Sequence, residues 1–117
     1  MTWAVEFDDE FEAEFDELTD PVKSELLARA KVLAQFGPML GRPNVDTLNG
    51  SEFKNMKELR FNADDGVWRV AFAFDPDRKA ILLCGGNKEG KDQKRFYRDL
   101  IRAADRRFKV HLERLGK

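Results

Sequence analysis

Arg60 in KELRF and Arg69 in GVWRVAF each sit in a short stretch where apolar and polar residues alternate. Alternation places Leu59 and Phe61 on one face of their strand and Arg60 on the other, and sets Arg69 opposite Trp68 and Val70. Two guanidiniums facing out from one sheet surface can grip a phosphate through paired N–H donors and stabilise charge building on it. An exposed arginine can equally be occupied by a neighbouring acid, and Glu58 is within reach of Arg60. A second cationic group, Lys88, Lys91, Lys94 and Arg95, leads up to Tyr97. A tyrosine among bases can stack a nucleobase or move a proton; Tyr97 or its neighbour Phe96 can also simply complete a helix core. These bases stand at a helix start, where the dipole disfavours cations, and that small penalty favours a functional reason for them.

The elements that must position these groups are legible from period and punctuation. Residues 2–7 alternate, with Trp3, Val5 and Phe7 on one face, and read as a short strand. Phe7, Phe11, Phe15 and Leu18 then recur at helical spacing among acids. Pro21 suits the first turn of a second helix capped by Thr19 or Asp20, with Val22, Leu26, Ala30 and Leu33 as its core stripe and Gly37-Pro38 as its end. The two helices are expected to form an antiparallel hairpin. Residues 37–51 read as a Gly-, Pro- and Asn-rich loop. Three strands follow, at 54–62, 67–74 and 79–86, joined by short turns and therefore antiparallel. Residues 91–115 are helical, with Phe96, Leu100, Ile101, Ala104, Phe108, Leu112 and Leu115 as the buried stripe. The order β-α-α-β-β-β-α predicts an α+β fold, one domain over residues 1–117, with helices packed on a small twisted sheet.

Composition excludes several function classes. The 117 residues suffice for a core without disulfides, and Cys84, the only cysteine, lies in an apolar run where a buried structural thiol is expected. Net charge is −1, yet residues 1–20 carry nine acids and no base, while residues 86–117 carry eleven bases and five acids. The acidic segment can neutralise the basic helix, repel stray anions or attract a basic partner. Gly85 to Lys91 fits the first seven positions of a phosphate-binding loop, but Asp92 stands where a Mg²⁺-binding Ser or Thr is needed, and hairpin-joined strands are wrong for that fold. His111, the single histidine, reads as a surface or packing residue, and no metal spacing or Ser-His-acid triad can be assembled. The opening MTWAVEFDDE has neither a basic n-region nor a long apolar run, so neither a signal peptide nor a membrane span is expected and the cytoplasm is the expected address. Asn49-Gly50-Ser51 reads as a turn rather than a glycosylation site.

The run Leu48-Asn49-Gly50, Lys57-Glu58-Leu59-Arg60, Gly66 to Phe72 and Leu82 to Lys88 resembles the RelE/ParE superfamily of bacterial toxins, and more narrowly its phage-derived, HigB-like branch. The likeness covers nearly the whole chain, including the order of its elements. It implies a RelE-like fold and the toxin of a type II toxin–antitoxin system, a metal-independent endoribonuclease that cuts mRNA, often on the ribosome, and so inhibits translation. In such enzymes the 2′-hydroxyl attacks the adjacent phosphate. The resemblance implies that Arg60 and Arg69 hold and polarise the phosphate and that Tyr97 roughly matches a catalytic aromatic; Glu58, where this chain departs from relatives, can act as general base or be merely Arg60's partner. The resemblance matches Lys88 or Lys91 to the family's basic turn after the last strand, and Lys54, Lys57, Lys94 and Arg95 are further candidates for RNA binding, with no metal and no cofactor expected. Two departures stand out: Met56 and Glu58 occupy positions where ribosome-dependent relatives carry lysines, and the last helix runs past His111 without a terminal catalytic histidine. ParE-like relatives instead bind and inhibit DNA gyrase, and an inactive toxin retaining antitoxin binding is a further alternative. The implied partners are a helix-turn-helix, HigA-like antitoxin, mRNA and the ribosome, with operator DNA reached only through the antitoxin and no membrane. The acidic helical segment, through Glu12 and Asp16, is a candidate docking surface for a basic part of the antitoxin.

Overall fold

The computed structural model describes residues 2–116. Strand β1 (Ala4–Phe7) leads into helix α1 (Asp9–Asp16), whose N-cap Asp8 accepts from the backbone N–H groups of Glu10 and Phe11. Helix α2 (Asp20–Phe36) has a proline in its first turn, as expected, and ends where Gly37 adopts φ 56°. Its Val22, Leu26 and Leu33 are buried, while Ala30 is half-buried. The expected loop 37–51 holds more structure than its composition suggested. It contains a 3₁₀ turn (Gly37–Met39) and strand β2 (Val45–Thr47).

Strands β3 (Lys57–Ala63), β4 (Gly66–Phe74) and β5 (Lys79–Asn87) form the expected antiparallel meander. The β3–β4 turn places Asp64 and Asp65 at φ 51° and 58°, the left-handed pair that suits a tight hairpin. Strand β3 starts three residues later than expected, because residues 53–56 turn and lay Phe53 edge-on against Phe108 of the last helix. The sheet has five strands in the order β1-β5-β4-β3-β2, with β1 parallel to β5 and every other pair antiparallel. The register steps from Ala71↔Cys84 to Phe72↔Leu82, so Leu83 is an extra residue in β5 and lies with Cys84 on one face.

Both faces of the sheet are covered. On one, Phe11 of α1 and Val22, Leu26 and Leu33 of α2 pack on Leu59, Phe61, Val70, Phe72 and Leu82. On the other, helix α3 (Gln93–Arg114) lays Leu100, Ala104 and Phe108 on Met56, Ala71, Ala73, Ile81 and Leu83. This second layer corrects the expectation that Arg69 faces solvent, since its face is the one α3 covers, while Arg60 at the edge of that face stays partly exposed. Asp92, the residue that breaks the phosphate-loop pattern, is the N-cap of α3 and accepts from Arg95 N–H. A Cβ on Gly86 would lie 3.0 Å from the Phe96 ring. The bare backbone there lets the first turn of α3 settle on β5 and carries Tyr97 over the sheet. Among the described residues no helix is long and apolar enough to cross a membrane.

Candidate functional site

Arg60 and Arg69 are direct cross-strand partners in the β3–β4 register, so they share a face and an end of the sheet. Strand β2 pairs only with residues 57–59 of β3, and the last link beyond it is Arg60 N–H to the Asn44 carbonyl at 2.8 Å. Past that point the edge of β3 is open. A cleft of about 390 Å³ forms there, lined by Arg29, Pro43, Asn44, Arg60, Phe61, Asn62 and Arg69. Three guanidiniums therefore border one concavity. Arg29 is fixed from both sides, donating to Glu25 Oε1 at 2.8 Å and to Asn44 Oδ1 at 2.7 Å. Arg60 is only loosely engaged, with Nη1 3.8 Å from Asp46 Oδ2. The Asp46 carboxyl is held below its usual range chiefly by the hydrogen bond from Arg42, with Arg60 a minor contributor.

Arg69 forms the inner end of the cleft and is 6% exposed. Its Nη1 donates to the Trp68 carbonyl at 2.9 Å and its Nε to the Tyr97 hydroxyl at 3.3 Å. The Tyr97 hydroxyl donates in turn to Glu58 Oε1 at 3.0 Å, which lies 3.7 Å from Arg69 Nε. Cleft, Arg69, Tyr97 and Glu58 thus form one connected chain. Burial pushes the Glu58 carboxyl up, against the opposing Tyr97 hydrogen bond and Arg69 charge. Burial also raises the Tyr97 phenol, opposed by the Arg69 hydrogen bond and reinforced by the Glu58 charge. A phenol that keeps its proton beside a carboxylate shifted toward neutrality is an arrangement suited to proton transfer.

The four residues expected to be catalytic are brought together, although not as an open surface: Glu58 is 5% exposed and pairs with Arg69 and Tyr97 rather than chiefly with Arg60. The six cations expected to bind RNA are divided. Lys88 follows the end of β5, its N–H bonded to the Val67 carbonyl, and exposed Lys94 lies in the first turn of α3. Lys91 and Arg95 line a separate cavity of about 650 Å³ between α1, the end of β5 and α3, together with Glu14, Asp99 and Arg107. Lys57 begins β3 and Lys54 precedes it beside Phe53, at the opposite end of that strand from the β3–β4 turn. No single face collects all six.

Arg29, Asn44 and Asn62 were not singled out from the sequence, and nothing in their local pattern marks them; only β2 pairing brings 43–44 to residue 60. Arg107 did leave a signal, since it falls at helical spacing within the apolar stripe Leu100, Ala104, Phe108. It is 7% exposed, clasps Glu14 at 2.8 and 2.7 Å, and donates to the Leu83 carbonyl at 2.8 Å. With Arg106–Glu10 and Arg114–Asp9, it answers the charge asymmetry in favour of internal neutralisation. Glu12 and Asp16 remain exposed, and neither joins an ion pair among the described residues. Cys84 donates to the Leu100 carbonyl at 3.3 Å and burial pushes its thiol up to about 12, as fits a structural residue. His111 packs on Phe108 and meets the buried Asp75 at 2.8 Å, a structural clamp on the β4–β5 turn.

Residues 13–109 match the family described as phage-derived protein Gp49-like. The chain is 48% identical over 88 residues to the Mycobacterium tuberculosis protein "Putative toxin HigB2", an alignment spanning 74% of this chain and 43% of that protein. It is 54% identical over 76 residues to "Putative toxin HigB3" of the same organism, spanning 65% of this chain and 64% of the relative. The chain therefore spans less than two thirds of either relative. In fold it is similar to the free-state structure of a double arginine-to-alanine mutant of E. coli toxin RelE, with a TM-score of 0.62 at 14% identity over 86% of this chain and 95% of the other. The chain belongs to the phage-derived Gp49-like family, the HigB-like branch to which its motifs pointed, and it carries the RelE fold.

Proposed function

We propose that the chain is the toxin of a toxin–antitoxin pair and an endoribonuclease that cuts mRNA at the ribosome without a metal. The observation that carries this reading is the cross-strand pair Arg60 and Arg69 at one cleft, with Tyr97 bridging Arg69 to Glu58. Arg60 and Arg69 hold the scissile phosphate and take up charge as it develops. The 2′-hydroxyl gives its proton to the Tyr97 oxygen while Tyr97 passes its own to Glu58. The 2′-oxygen–phosphorus bond forms, the bond to the 5′-oxygen breaks, and that oxygen takes a proton from solvent. The products are a 2′,3′-cyclic phosphate and a 5′-hydroxyl.

Purified protein incubated with translating ribosomes should leave those two ends. Tyr97→Phe keeps the ring and should slow cleavage by roughly a hundredfold, the usual scale of a lost proton-transfer group. Ends of another chemistry, or an unchanged Tyr97→Phe rate, would refute the mechanism. One observation favours a second reading. Glu58 and Arg69 are each more than nine-tenths buried, which narrows RNA's access to the pair and leaves a non-catalytic, gyrase-binding toxin as the alternative. Inhibited supercoiling with intact RNA would select it.

The proposed partner is a helix-turn-helix antitoxin. Its basic segment would dock on α1 through Glu12 and Asp16, because Asp9, Glu10 and Glu14 are already engaged by Arg114, Arg106 and Arg107. Reversing Glu12 and Asp16 to lysine should weaken the complex at least tenfold in a titration; unchanged affinity would remove this site.

A further inference from the structure

The cations of α3 fall into two sets with opposite fates. Arg106, Arg107 and Arg114 turn toward α1, and each is matched to a carboxylate there. Arg95 borders the cavity toward α1, while on the outward face Lys94, Arg102 and Lys109 are exposed, and none of these three joins an ion pair among the described residues. At 3.6 residues per turn these positions fall within one stripe, and the 15 steps from Lys94 to Lys109 cover roughly 22 Å. Arg98 lies on the same stripe and is partly answered by Asp99 at 3.4 Å. The acid nearest the stripe's centre, Asp105, is turned aside to accept from the Ser51 hydroxyl and the Glu52 N–H. Glu113 is the remaining acid, beyond Lys109. One cationic row is thus neutralised by the fold, while the other keeps its charge along the length of the helix, where an anion can approach it.

The stripe has no aromatic platform. Phe96, Tyr97 and Phe108 of the same helix pack toward the sheet. Single strands are held by stacking as well as charge, so a purely cationic, straight row fits phosphates whose bases are already stacked among themselves. We infer that the outward stripe of α3 is a docking track for the ribose–phosphate backbone of duplex RNA, separate from the arginine cleft and supplying affinity rather than chemistry. The choice of RNA over other polyanions rests on the ribonuclease reading above.

The test is a fluorescence-anisotropy titration of the full chain with a labelled, blunt-ended RNA duplex over a series of KCl concentrations. Wild type should bind with a steep dependence on salt. The double variant Arg102→Glu/Lys109→Glu should bind at least tenfold more weakly, and its log–log salt slope should be shallower by about two, near one for each phosphate no longer neutralised. Arg102→Gln/Lys109→Gln should fall between, and circular dichroism should report the same helix content in all three. Equal affinity and slope in the charge-reversed protein would overturn the inference. So would wild type that ignores the duplex while binding single-stranded RNA or a polyglutamate peptide through these residues. Duplex binding needs no cleavage. A protein that binds the duplex through the stripe but cuts no mRNA therefore sinks only the nuclease reading, and one that cuts mRNA with indifferent duplex binding sinks only this one.

Discussion

Two arginine clusters sit at opposite edges of the same sheet and differ in how fully their donors are used. Beyond β1, Arg107 meets both oxygens of Glu14 at 2.8 and 2.7 Å and the Leu83 carbonyl at 2.8 Å, under the cover of α1 and α3. Beyond β2, Arg60 has no carboxylate closer than 3.8 Å and opens on a cleft it shares with Arg29 and Arg69. A guanidinium whose terminal donors are matched by the protein holds elements together, as Arg107 does although its buried Nε has no hydrogen-bond partner; one left half-matched at a concavity is available to an anion. Arg69 stands between these cases. It is buried like Arg107, yet its carboxylate, Glu58, lies 3.7 Å away and is reached partly through Tyr97.

Substitutions sharpen this contrast. Arg60→Ala should lower RNA cleavage by roughly a hundredfold, the scale of one lost oxyanion-stabilising donor, while moving unfolding stability by less than about 0.5 kcal/mol. A denaturation curve beside an initial-rate measurement checks both halves. Arg107→Ala should do the reverse. Breaking a buried pair costs about 3–5 kcal/mol, and because the Glu14 side chain is 52% exposed the loss should be nearer 2 kcal/mol, with cleavage kept in the surviving folded fraction. If Arg107→Ala abolished cleavage in protein shown to be folded, the two clusters would not be separable.

Glu58→Gln tests the intermediate case through pH. Burial raises the Glu58 carboxyl above its ordinary range, so folding disfavours its ionised form. The wild type should therefore lose stability relative to Glu58→Gln as pH climbs from the ordinary carboxylate value through the raised one, and the difference should level off above it. A difference that stays flat across that window counts against a buried, strained carboxylate. Smallest of all, Arg106→Ala removes an exposed pair with Glu10 and should leave the unfolding midpoint unchanged within error.

Much of this architecture is legible in the sequence. Alternation in GVWRVAFAF and KELRF located β3 and β4 and set Arg60 and Arg69 on one face, because a strand's period fixes side-chain direction regardless of context. The Pro21 and Gly37 signals bounded α2 correctly for the same local reason. What alternation cannot say is which face a helix will cover, and so the burial of Arg69 and Glu58 under α3 escaped. Strand β2 escaped because three residues carry too little pattern, and with it went the cleft that its short pairing leaves open. The acidic and basic ends were visible as charge. Their mutual neutralisation was not, since Glu14 and Arg107 lie 93 positions apart.

That separation governs how the chain folds as it is made. β1 has no partner until residues 79–82 exist to receive it, and the acids of α1 have no counter-charge until α3 is complete. Residues 4–16, made before residues 79–114, therefore stay unpaired and self-repelling until those have emerged. Closure is a late event in which the parallel strand, the acidic helix and the arginine clamp form together, with the loop entropy of nearly the whole chain to overcome. Folding of this domain should appear as one cooperative, comparatively slow step rather than as growth outward from β1 and α1.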